Sequence, residues 1–216
     1  MRRQPDLTTH LGGWLFRHRT SLPLPVALVI LTLPAGESPL SAALVLPGIA
    51  ITVAGELLRF WGVHHIGAIS RTRSDRLGPL VDTGPFARLR NPLYVGNVAL
   101  WVGFALSARL PWLAPVIVVL LGVEYHLIVK WEERLLAERL GAPYRDYMSR
   151  VPRWLPASAF NRGDRRERGE KDLSAFSAGS AVKRDPFSWT ETFVSERGTL
   201  IAMALGYVLL WLKARS

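Results

Sequence analysis

The sequence predicts an all-α, polytopic membrane protein with about five transmembrane helices, and three observations predict it. Charged residues are segregated, so that residues 20–36, 38–55, 91–108, 110–123 and 198–212 contain no Asp, Glu, Lys or Arg. A spanning helix needs ~20 mostly apolar residues; three of these windows reach that range, and the shorter two do so if flanking residues snorkel. The basic residues are lopsided, with 24 of the 27 Lys and Arg falling on one side of a five-span layout. Trp61, Trp112, Trp131 and Trp211 stand at span ends, where amphipathic rings prefer the membrane interface.

Each element follows from local chemistry. The first span is placed at 21–36, bracketed by Pro23, Pro25 and Pro34. Arg2 and Arg3 precede a polar stretch rather than a cleavable signal, so this apolar run is retained as a helix. The second span covers 39–61, with a kink expected at Pro47. Spans at 92–109 and 111–130 are joined by Ser107-Ala108-Arg109-Leu110-Pro111, a length that permits only a tight antiparallel hairpin. A last span covers 198–213. The segments divide into an arm (1–20), spans one and two (21–61), a core (62–156), a polar linker (157–190) and a C-terminal helix (191–216). The Lys/Arg asymmetry places the N-terminus in the cytoplasm and the C-terminus outside, in a multi-pass protein of the cell (inner) membrane.

With no cysteine in the chain, disulfide frameworks, thiol nucleophiles and Cys-ligated metals are excluded. A net charge of +10 beside membrane spans is explained by orientation, and no nucleic-acid partner is read from it. The five histidines offer no H-E-x-x-H pattern, so no metal site is predicted. His64 and His65, adjacent on one helix, cannot both point into one site; they read as an interfacial pair at an entrance.

Two segments carry candidate chemistry. In GPFARLRNPLYVGN (84–97), Asn91 and Pro92 suit a capped helix start. Tyr94, Gly96 and Asn97 in the first turns suit the close approach of a ligand whose negative groups the helix N-terminus attracts. In WEERLLAERLGAPYRDYMSRVPRWLP (131–156), an amphipathic continuation of span four ends at Gly141. It carries the adjacent carboxylates Glu132 and Glu133, and Glu124 lies two turns earlier inside the span. An ionisable intramembrane group is a functional-site candidate by default.

These segments, flanking one hairpin, resemble the isoprenylcysteine carboxyl methyltransferase and phospholipid methyltransferase superfamily. The matching residues are Gly84, Pro85, Phe86, Arg90, Asn91, Pro92, Tyr94 and Gly96, then Glu132, Glu133, Leu136, Gly141, Tyr144, Tyr147, Val151, Pro152, Arg153 and Pro156. Asn91 stands where eukaryotic members carry His. The resemblance implies a cytoplasmic-face catalytic pocket, S-adenosylmethionine as cofactor, and in-line methyl transfer to a lipophilic acceptor that enters from the bilayer. It further implies that Glu132 and Glu133 hold the cationic donor and that Arg90 pairs with the donor's carboxylate. Asn91, Tyr94 and Tyr144 would bond its ribose or adenine, Gly96 would let it approach, and His65 would touch it. Arg153 would orient an anionic acceptor, while Glu124, His64 or His65 would act as base for an amine. The acceptor class stays open between a prenylcysteine carboxylate, a phospholipid amine and other small lipophiles. Two alternatives remain: a nicotinamide-using reductase relative, which would need phosphate-clamping arginines instead of a carboxylate pair, and a non-enzymatic assembly or anchor subunit.

Overall fold

The computed structural model describes residues 7–21, 23–67, 80–155 and 188–215. Arg71, Arg73 and Arg76, Pro156 and most of the 157–190 linker lie outside the described residues. Within them the chain is helical without a strand: α1 (Leu7–His18), α2 (Leu24–Thr32), α3 (Pro39–Ala43), α4 (Val45–Ile66), a 3-10 turn (Gly84–Ala87), α5 (Pro92–Ser107), α6 (Leu113–Leu140), α7 (Ala142–Arg150) and α8 (Trp189–Lys213).

Three stretches are long and apolar enough to cross a membrane, Pro39–Ile66, Leu113–Leu140 and Trp189–Lys213; α5 is a shorter apolar helix of 16 residues. The five-span expectation is met only in part. The first expected span is a helix of nine residues, ~14 Å long at 1.5 Å per residue, which cannot cross a ~30 Å hydrocarbon core. Its prolines account for the shortness: Pro23 precedes the helix, Pro25 occupies its first turn, and Pro34 follows its end. Pro47 acts as expected. Its ring conflicts with the carbonyl of residue 43, and the helix is interrupted there, between Ala43 and Val45.

The hairpin between α5 and α6 closes in a Schellman arrangement, with Leu110 N donating to Ala105 O (2.9 Å) and Arg109 N to Leu106 O (3.0 Å). Arg109 takes the left-handed position, at φ 62°. Its carbonyl accepts from Gly36 N at 3.0 Å, tying the hairpin to the α2–α3 connection. At the other end of α6, Gly141 terminates the helix with φ 66°, a conformation that costs an L side chain ~1 kcal/mol or more.

Helices α4 and α5 pack at glycine. Gly48, Gly55 and Gly62, seven residues apart, meet Gly103 and Ser107, Gly96, and Leu93 respectively. A Cβ on Gly55 would lie 2.8 Å from the Gly96 carbonyl oxygen, whereas nothing lies within 4 Å of one on Gly122. Gly55→Leu is therefore expected to destabilise the protein by about 1–3 kcal/mol through overpacking, and Gly122→Leu by less than ~0.5 kcal/mol. Chemical denaturation in detergent checks both; equal midpoints would mean that the backbones do not approach this closely.

The segment expected as an arm forms α1 and lies along α6. Gly12 and Gly13 abut Leu127 O and the Trp131 ring, and Phe16 packs on Trp131 with centroids 4.8 Å apart. The main core gathers Phe16, Ile30, Ala105, Leu113, Ile117, Leu121, Tyr125, Ile128 and Trp131; a second, smaller one joins Tyr144, Tyr147 and Val151. Leu46, Leu57, Val119, Val123 and Ile201 are exposed, which suits faces turned to lipid rather than water.

Candidate active site

The two sequence segments meet. The 3-10 turn buries Pro85 and Phe86, and Tyr147 on α7 donates its hydroxyl to the Phe86 carbonyl at 2.8 Å. Arg90 N donates to Pro152 O at 2.9 Å, and the Asn91 side-chain amide donates to Arg153 O at 3.2 Å. Asn91 makes no side-chain cap bond, so its expected capping role is replaced by a strap between the segments. Burial pushes the Tyr144 and Tyr147 phenols up, helped at Tyr144 by the Glu133 carboxylate; both remain neutral hydrogen-bond donors at physiological pH.

The adjacent carboxylates take different partners. Glu133 is buried and held by two guanidiniums: Arg153 Nε and Nη2 reach its two oxygens at 3.0 and 2.5 Å, and Arg90 Nη1 lies 2.9 Å from Oε1. Such bidentate, charge-assisted pairing fixes geometry. Neighbouring residues on an α-helix point ~100° apart, and Glu132 faces elsewhere. It accepts the Tyr94 hydroxyl at 3.1 Å, and the Tyr94 ring stacks on Tyr125 with centroids 4.7 Å apart.

Both carboxylates line a cavity of about 850 Å³, in the upper part of the ~300–1,000 Å³ range of small-molecule sites. Arg19, Arg90, Asn91, Tyr94, Tyr144 and Tyr147 also line it. A further polar group centres on Arg59 of α4, which donates from Nε to Glu56 (3.2 Å) and from Nη2 to Glu196 (2.7 Å) and Thr199 (3.3 Å), both on α8, and from Nη1 to Asn97. Apolar walls come from α2, α5 and α8. Leu24 and Leu205 line the cavity while 61% and 58% exposed, so the α2–α8 wall is open to its surroundings.

Of the residues singled out from the sequence, Arg90, Asn91, Tyr94, Asn97, Glu132, Glu133 and Tyr144 line this cavity. Arg153 lies behind it, clamped to Glu133. Gly96, Glu124 and His65 are not among its lining residues. Gly96 faces Gly55 and Arg59 on α4, and serves helix packing. Glu124 is buried, with Oε1 lacking a hydrogen-bond partner. His65 bonds Thr83 at 3.0 Å beside Gly84, whereas His64 stacks on Trp189 with centroids 3.9 Å apart. Sequence reasoning missed Arg59, Glu196 and Thr199. A guanidinium three residues after a carboxylate inside an apolar run was the available signal at Arg59; nothing in the sequence pairs it with α8.

Comparison with known proteins agrees with the resemblance. Residues 43–142 match the family model for phospholipid methyltransferase (PEMT). The chain is 28% identical over 160 residues to the nickel-cobalt-cadmium resistance protein NccN of Alcaligenes xylosoxydans xylosoxydans, covering 71% of this chain and 72% of the relative. It is 25% identical over 167 residues to the cobalt-zinc-cadmium resistance protein CzcN of Cupriavidus metallidurans, covering 73% of each. No solved structure matches.

Proposed function

We propose that this chain, whose residues 43–142 match the phospholipid methyltransferase family, is an integral membrane methyltransferase that uses S-adenosylmethionine and acts on a lipophilic acceptor. The observation that carries the reading is the presence, in the lining of one cavity, of the Glu132 carboxylate and the Arg90 guanidinium. Arg90 Nε is itself buried, so the contact of Arg90 with the cavity comes from its other atoms. An acid and a guanidinium lining one cavity match a donor that carries an amino group, a sulfonium and a carboxylate. S-adenosylmethionine supplies an electrophilic methyl group when bound.

The chain's own residues then divide the work. Glu132 holds positive charge, with Tyr94 fixing its rotamer through the 3.1 Å bond. Arg90 offers positive charge to a carboxylate while Glu133, itself clamped by Arg153, holds its guanidinium in place. Tyr144, neutral and buried, is suited to a ribose or base edge. Methyl transfer is an in-line displacement, so alignment and water exclusion are the main contributions a protein can make. Exposing an acceptor's chain to water costs ~0.8 kcal/mol per CH₂, which favours entry from the bilayer between α2 and α8. The basic-residue asymmetry supports a site on the cytoplasmic side.

The relatives' names add a setting. Under this reading, a methylated membrane constituent is what would serve metal resistance of the kind for which the relatives are named. Calorimetric titration of the purified protein, in lipid nanodiscs, with S-adenosylmethionine tests the reading. Saturable 1:1 binding is expected; no binding by folded protein would overturn it and return the anchor and reductase alternatives.

A further inference from the structure

One face of α6 carries a row of side chains that the cavity leaves outside. Val119, Val123, His126, Lys130 and Glu133 fall within ~80° of arc at ~100° per residue. Val119 and Val123 are 63% and 58% exposed, His126 is half-buried and Lys130 is exposed. None of these four lines the cavity, and α1 covers a different face of the helix, at Leu127 and Trp131. From Val119 to Lys130 the helix rises ~16 Å at 1.5 Å per residue, about half of a ~30 Å hydrocarbon core. An acyl chain of one leaflet can therefore lie along the row and bring its headgroup to Lys130.

The head position is built from two segments. Arg153, in the turn after α7, reaches Glu133 with Nε and Nη2 at 3.0 and 2.5 Å and keeps 27% of its side chain exposed. His126 lies within electrostatic reach of Lys130, Glu133 and Arg153. The carboxylate of this set, Glu133, is already shared by Arg90 and Arg153, so the Lys130 ammonium adds to a surplus of positive charge. The next acid along α6, Glu138, pairs with Arg134. A phosphate placed here meets an ammonium, the partly exposed Arg153 and an imidazole ring, whereas a zwitterionic headgroup also brings a cation to a place that is already positive. A lone lysine at a span end merely snorkels to the interface; a lysine, a histidine and an arginine converging from two segments make a site. Going beyond the methyltransferase reading and independent of it, we propose that His126, Lys130 and Arg153 bind the phosphate of an anionic phospholipid whose chain lies along Val123 and Val119.

Native mass spectrometry tests this on the full chain, purified in detergent with equal amounts of dioleoyl phosphatidylglycerol and dioleoyl phosphatidylcholine. One phosphatidylglycerol is expected to be retained in about 20-fold preference, because each Lys or Arg near an anionic lipid contributes about fivefold. Lys130→Gln, at an exposed position, should lower the preference to about fourfold without moving the denaturation midpoint. Arg215→Gln, at the far end of α8 over Trp211, should leave the preference unchanged. Glycerol 3-phosphate in excess should not displace the lipid, since the chain along α6 supplies part of the affinity. Equal retention of the two lipids, a preference untouched by Lys130→Gln, or an equal fall in Arg215→Gln would overturn the site. Displacement by glycerol 3-phosphate would overturn the lipid assignment and make the ligand a soluble anion. S-Adenosylmethionine binding enters none of these readouts, so this site and the methyltransferase reading stand or fall separately.

Discussion

Glu132→Gln is expected to weaken S-adenosylmethionine binding by about 10- to 150-fold and to leave the denaturation midpoint near that of wild type. The glutamine carbonyl can still accept the Tyr94 hydroxyl, so the local packing of Tyr94 on Tyr125 is kept. What is lost is the negative charge facing the cavity. A hydrogen bond to a charged group contributes ~1.5–3 kcal/mol, and every ~1.4 kcal/mol is tenfold in affinity. Tyr94→Phe should cost less, about five- to tenfold, because it removes only a neutral donor that orients the carboxylate. Calorimetry on both variants, with denaturation in parallel, checks the pair. Unchanged donor affinity in folded Glu132→Gln would remove Glu132 from the site.

Much of this arrangement was legible in the residues. Arg90, Glu133 and Arg153 belong to the two segments that the sequence set apart, and their meeting requires only that the hairpin be tight. Ser107–Pro111 secured that, and Gly141 ended α6 as expected. Roles within the segments were harder to read. Gly96 suited ligand approach from sequence, yet a glycine facing another helix's glycine looks identical until the partner helix is placed. The paired carboxylates read as one device, although a ~100° turn per residue argues that neighbours serve different surfaces. The same rule separates His64 from His65, which the structure sends to Trp189 and to Thr83.

Long-range pairing was illegible for a different reason. Arg59 and Glu196 are 137 residues apart, and helical periodicity describes which face is apolar, not which helix it meets. The brackets around the first span were visible as prolines, but their consequence depends on summed effects. One proline before the helix and one in its first turn are compatible with helix starting, whereas Pro34 forbids continuation. Only nine helical residues survive. Helix α2 thereby becomes a wall of the cavity, and the shortened element helps leave the side of the site open.

Replacing the other member of the acidic pair should have an opposite signature. Glu133→Ala leaves Arg90 and Arg153 facing one another without the carboxylate that both contact, in a place where Glu133 is 8% exposed. Removing one partner from a buried ionic group typically costs ~3–5 kcal/mol, so a large fall in stability is expected along with loss of donor binding. Arg153, more exposed than Arg90, can turn partly to solvent, which sets the cost toward the lower end. The double variant Glu133→Ala/Arg153→Leu should recover part of the loss, because it removes one of the two stranded charges. A double-mutant cycle on denaturation free energy would therefore be non-additive by about 1–3 kcal/mol. Strict additivity would mean that the Arg90–Glu133–Arg153 cluster does not hold the two segments together. If instead Glu133→Ala kept wild-type stability and lost only binding, the two carboxylates would share one task, and the division between a structural Glu133 and a ligand-facing Glu132 would fall.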